Sequence, residues 1–149
     1  MAKARFGAQI QELGEPAFKL ENFSLWIRGW ETDWTDNWID ITAHFSSLAS
    51  STLIAGTFAL ADDLYAGLIQ FEDLHKSLKG KAVFESTEPG FKIELTAGLR
   101  GQLEFELTMS PGYWEEYRYE TEIDQSYLPA AIEQLKTIAQ TYPPSKRES

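Results

Sequence analysis

Two groupings of acids beside tryptophans are, by residue type, best placed to do chemistry in this chain: Asp33 and Asp36 around Trp34, and Glu115 and Glu116 beside Trp114. Paired carboxylates in an aromatic-lined cleft are what glycoside hydrolysis uses. Neither spacing fixes a separation or a burial, however, and among 23 acids some adjoin a tryptophan by chance. A ring flanked by acids in a loop, as Trp34 is, serves more simply as an anchor for a protein partner. Stacking on a sugar is the rival use of such a ring.

Other chemistries find less support. Asp33, Asp36 and Asp40 lack the EF-hand spacing and its glycine, so no metal site is expected. The two histidines, His44 and His75, sit in no nucleophile or metal motif, and G-x-S-x-G elbows, P-loops and H-E-x-x-H pairs are absent. The lack of cysteine removes disulfides, thiolate nucleophiles and cysteine-ligated zinc together. A chain without catalytic residues, metal or cofactor is the expectation.

The net charge of −10 is the strongest compositional fact. It argues against nucleic acid and anionic membranes, both of which select positive surfaces, and favours a cationic partner. The plainer reading is that acidity only keeps the protein soluble. Strand patterning sharpens the choice. If Phe91, Ile93, Leu95, Leu103, Phe105, Leu107, Tyr117 and Tyr119 face a core, then Glu94, Glu104, Glu106, Glu120 and Glu122 face out together, diluted by Lys92 and Arg118. Like charges opposed on a sheet are destabilising, and a basic partner covering them turns the cost into a gain.

These residues must be positioned by strands. Trp26, Trp30, Trp34 and Trp38 recur at four-residue intervals, a spacing that fits a helix face or a strand face. The alternation of Phe23, Leu25 and Ile27, then of Ile39, Ile41, Ala43 and Phe45, selects two strands joined by an acidic loop. Trp38 and one of Trp26 and Trp30 are expected to be largely buried. Residues 17–20 form a short edge strand and residues 52–60 a third long strand, weakened or bulged at Gly56. Asp62 and Asp63 cap a helix from about Leu64 to Lys79, striped by Leu64, Leu68, Phe71, Leu74 or His75, and Leu78, and stopped by Gly80. Strands follow at 81–85, 91–96 and 102–109. Ser110-Pro111-Gly112 makes a turn into a strand through Tyr117 and Tyr119, and Asp124 or Ser126 caps a last helix ended by Tyr142-Pro143-Pro144.

The reading is an α+β fold, a mostly antiparallel sheet of six to eight strands with two amphipathic helices packed on one face. Residues 1–16 are a poorly ordered lead-in, 17–144 a single domain, and 145–149 a flexible tail. With no secretory leader or membrane-length apolar run, a cytoplasmic location is expected.

Ile27-x-Gly29 followed by an acidic loop and Asn37-Trp38-Ile39, the leucine-striped helix, the Glu88-Pro89-Gly90-Phe91 turn and the closing Tyr142-Pro143-Pro144 together resemble the WapI family of bacterial immunity proteins, of polymorphic toxin systems. The resemblance runs from about Phe18 to Pro144. Ser145 stands where the family usually has a basic residue, and Lys146 and Arg147 come only later. The resemblance implies a noncatalytic cytoplasmic protein that neutralises a secreted or contact-delivered toxin, which in the namesake system is a nuclease acting on tRNA. A toxin that binds RNA presents a basic surface, which an acidic inhibitor can cover. Asp33, Trp34, Asp36 and the five outward glutamates are then the contact candidates. A carbohydrate-binding or small-ligand domain using the tryptophans is the alternative.

Overall fold

The computed structural model describes residues 13–145. Most of the expected lead-in and tail, residues 1–12 and 146–149, lies outside those limits. Within them the chain runs β1 (Phe18–Leu20), β2 (Phe23–Trp30), β3 (Trp38–Ser46), β4 (Ser51–Leu60), α1 (Ala61–Ser77), β5 (Lys81–Glu85), β6 (Phe91–Ala97), β7 (Gln102–Gly112), β8 (Glu115–Asp124) and α2 (Leu128–Thr141). Each half is an antiparallel four-stranded meander followed by a helix.

The α+β class and the strand number agree with the sequence reading, but the single sheet does not. The strands form two separate sheets, ordered β1-β2-β3-β4 and β5-β6-β7-β8. Each meander has one apolar face, and each apolar face needs cover. Here rings of the two sheets meet: Phe18 with Phe84 at 5.3 Å between centroids, Phe23 with Phe91 at 5.2 Å, and Phe45 with Tyr119 at 4.9 Å. Both sheets and both helices contribute to one core. Alternation along a strand reports that one side is buried, without saying what buries it.

The helices pack on each other and reach the edge strands crosswise, α1 against β5 and α2 against β1. Gln134 of α2 bonds the Lys19 backbone of β1, and the Gln70 Oε1 of α1 accepts the Val83 N–H of β5 at 3.0 Å. Side-chain amides thus occupy places that a further strand would fill, which protects the edges.

Helix α1 starts three residues earlier than the sequence suggests, so Asp62 and Asp63 lie in its first turn. Asp63 Oδ2 accepts the Leu60 N–H at 2.9 Å, and both its oxygens bind Thr87. Asp62 accepts the N–H and hydroxyl of Ser145. At the other end the helix stops at Ser77, and Leu78 adopts the left-handed conformation (φ 54°), which takes its side chain out of the buried stripe. Leu74, not the exposed His75, continues that stripe. Before α2, Asp124 accepts the Ser126 N–H and caps a short 3-10 turn rather than the helix itself. In β4 the register slips by one residue opposite Ile39–Ile41, beside Gly56 (φ 155°).

Candidate functional site

The outward face of the second sheet is set by strand register. Glu94, Glu106 and Glu120 stand side by side across β6, β7 and β8, with Thr96, Glu104 and Glu122 in the row on one side and Lys92, Thr108 and Arg118 in the row on the other. All five glutamates singled out by alternation therefore share one surface. Their neutralisation is uneven. Glu94 lies 3.0 Å from Lys92 and 3.4 Å from Lys81, and Glu106 pairs with Arg118. The hydrogen bond from Lys92 outweighs burial and holds the Glu94 carboxyl below its ordinary range. Among the described residues Glu104, Glu120 and Glu122 have no Lys or Arg at ion-pair distance. These three line one groove with Thr96 and Thr121.

Asp33, Trp34 and Asp36 lie instead on the β2–β3 connection of the first sheet. Trp34 is 66% exposed. Its acidic neighbours are engaged locally: Asp33 Oδ1 accepts the N–H (2.8 Å) and hydroxyl of Thr35, and Asp36 accepts the hydroxyl of Thr32. Those Thr35 hydrogen bonds keep the Asp33 carboxyl below its usual range. The loop ends on Asn37, buried with φ 67°, whose carbonyl and Oδ1 accept the N–H groups of Ala61 and Asp62 at 2.9 Å each. A side chain far away in sequence thus ties the loop to the N-terminus of α1.

The other tryptophans of the first sheet differ in cover. Trp26 is buried, its Nε1 donating to the Gly14 carbonyl at 3.0 Å. Trp30 and Trp38 are half-buried, so Trp38 is less covered than expected, and Trp30 meets Tyr142 edge-on at 5.2 Å. His44 Nε2 lies 2.8 Å from Ser51 Oγ, and burial lowers its pKa. Among the described residues no three His, Asp or Glu side chains gather as metal ligands, and no helix is long and apolar enough to cross a membrane.

Sequence reasoning misplaced one turn. Strand β7 runs on through Ser110-Pro111-Gly112 with an extra residue, since Met109 pairs with Tyr117 and Gly112 with Glu115. The turn itself is Tyr113-Trp114, and both rings stand almost wholly in solvent, at 100% and 98% exposure. Two adjacent aromatics where hairpins favour Gly, Asn and Asp were the available signal. Proline and glycine next to them outweighed it.

The profile of the Immunity protein WapI-like family matches residues 17–143, which includes both sheets and both helices. The chain belongs to the WapI-like immunity protein family. Matched positions in this WapI-like protein include the acidic rows of the second sheet, the Trp34 loop and the aromatic hairpin tip. No curated protein matches the chain. Among solved structures, that of Trypanosoma bruciei MRP1/MRP2 is similar over 95% of this chain and 94% of its own, at 10% identity and a TM-score of 0.44, too loose a likeness to establish a shared fold.

Proposed function

We propose that this WapI-like immunity protein neutralises a cognate bacterial toxin domain by stoichiometric binding in the cytoplasm, without chemistry of its own, and that its contact surface is the acidic outward face of the second sheet. The observation that carries the reading is the set of three glutamates, Glu104, Glu120 and Glu122, crowded on adjacent strands with no Lys or Arg at ion-pair distance among the described residues. In the free protein they repel one another. Against a basic surface the same charges steer association and favour the complex. A toxin domain that cleaves RNA, such as a nuclease of tRNA, presents that kind of surface because its substrate is a polyanion. The Trp34 loop, with Asp33 and Asp36, supplies a second contact region.

Co-expression tests this directly. Expressed together with its cognate toxin domain, the chain restores growth, and Glu104→Lys with Glu106→Lys removes the rescue. Rescue that survives this double reversal moves the contact off the sheet. The rival reading, a carbohydrate or small-ligand domain, draws on the exposure of Trp34 and Trp114, and it requires glycans to quench tryptophan fluorescence with little dependence on salt.

A further inference from the structure

The β7–β8 hairpin projects progressively out of the core. Along the inward side of β8, Ile123 is buried, Thr121 and Tyr119 are half-buried and Tyr117 is 48% exposed, before the turn reaches Tyr113 and Trp114. Those two rings line one groove together with Glu88, Pro89, Glu115 and Glu116. The Glu88-Pro89 wall is rigid. The Glu88 N–H donates to the Phe58 carbonyl at 3.0 Å, the Ser86 hydroxyl donates to the Glu88 carbonyl at 2.6 Å, and Asp63 holds Thr87. Gly90 has no room for a Cβ, which would lie 2.4 Å from the Phe58 ring. Among the described residues none of Glu88, Glu115 and Glu116 forms an ion pair with Lys or Arg.

We infer that Tyr113 and Trp114 with Glu88, Glu115 and Glu116 form a clasp for an arginine-bearing segment of a basic protein partner. Naming that partner as the toxin domain rests on the immunity reading, but the chemistry of the clasp does not. Among the described residues the two rings have no part in the core, standing 100% and 98% exposed. A planar guanidinium stacks on an aromatic face while its N–H groups reach carboxylates, and the flexible aliphatic stem of arginine lies along the second ring. Three carboxylates line the groove with the rings, so an anionic or purely apolar occupant meets uncompensated charge. Glu116, Arg118, Glu120 and Glu122 alternate along the same outward side of β8, which joins the clasp to the acidic sheet face and lets one partner cover both.

Titration of the whole chain with a hexa-arginine peptide, followed by tryptophan fluorescence and calorimetry at low salt, tests the clasp. Trp114→Ala raises the Kd about three- to fivefold, Trp114→Phe keeps it within about twofold because a ring remains, and Glu115→Gln with Glu116→Gln raises it about threefold. A Kd within twofold of wild type for Trp114→Ala, or binding of cellohexaose but not of the peptide, overturns the proposal. Unchanged circular dichroism confirms that these exposed substitutions leave the fold intact. Growth rescue separates the two ideas. If the wild-type chain fails to rescue, the immunity reading falls and the peptide titration still decides the clasp; if Trp114→Ala rescues as fully as wild type, the assignment of the toxin domain to the clasp falls and the immunity reading stands.

Discussion

The side-chain amide of Gln134 closes on both backbone groups of Lys19, Oε1 accepting its N–H at 2.8 Å and Nε2 donating to its carbonyl at 3.2 Å. The residues are 115 positions apart, so helix α2 of the second half finishes the edge of the first sheet. Gln134→Ala removes both bonds and costs about 1 kcal/mol, seen as a fall of a few degrees in the thermal midpoint. An unchanged midpoint would show that solvent replaces the amide without loss.

At Gly67, helix α1 packs directly on Phe84 of the second sheet. A Cβ there would lie 2.5 Å from Phe84 Cδ1, and Phe84 is fully buried between Phe18 and Phe71. Gly67→Ala gains about 1 kcal/mol of helix propensity and loses about 1–3 kcal/mol to overpacking, so chemical denaturation shows a net loss of stability. Combining it with Phe84→Leu gives less destabilisation than the sum of the single changes, because the two share one clash.

Asn37 joins the acidic loop to α1, and two variants separate its roles. Asn37→Gly keeps the left-handed backbone and loses the bond to the Asp62 N–H, costing about 1–2 kcal/mol. Asn37→Val also strains a backbone at φ 67° and costs roughly 1–2 kcal/mol more. Equal denaturation midpoints for the two would dismiss the backbone contribution.

Acid weakens the fold in two windows. Burial disfavours the His44 imidazolium, so the folded chain takes up that proton at a lower pH than the unfolded chain, whose histidine titrates near 6.5. The associated stability is fully present above 6.5 and is lost as pH falls through the lower folded value. His44→Gln flattens that part of the stability profile. The Glu94 carboxyl, held low by Lys92, contributes fully above 4.5 and loses its contribution as pH falls below that through its folded value. Glu94→Gln reduces the slope of this second window, which Asp33 and Asp124 share, and leaves the first unchanged; denaturant titrations across pH distinguish them.

Glu104 and Glu122 oppose each other across β7 and β8. Glu104→Gln with Glu122→Gln raises the thermal midpoint of the free protein and slows association with the basic toxin domain, most clearly at low salt. Stopped-flow association rates read the second effect. A faster or unaltered rate would place the contact elsewhere.

Much of this molecule was legible in local pattern. The alternation over Ile39–Phe45 and Leu103–Met109 identified strands and their buried sides, and the leucine spacing of α1 identified a helix, because each rests on a period that the backbone itself imposes. Alternation also placed five glutamates on one outward face. Three things needed contacts that local pattern does not report. The hairpin turn fell at Tyr113-Trp114 because pairing of Gly112 with Glu115 overrode the local preference of proline and glycine. The helix start moved to Ala61 because Asn37 supplies its cap from across the chain. The division into two sheets followed from which apolar faces met.

Sequence alone determined the chain's acidity, the identity of each strand's apolar side and the stock of unusual residues at the hairpin, since charge and periodicity are properties of neighbours along the chain. Only tertiary structure decided which glutamates keep a cation and which stand without one among the described residues, and which aromatics reach solvent. Ion pairing and burial depend on distances between strands, and those distances are set when Phe18, Phe23 and Phe45 of one sheet close on Phe84, Phe91 and Tyr119 of the other.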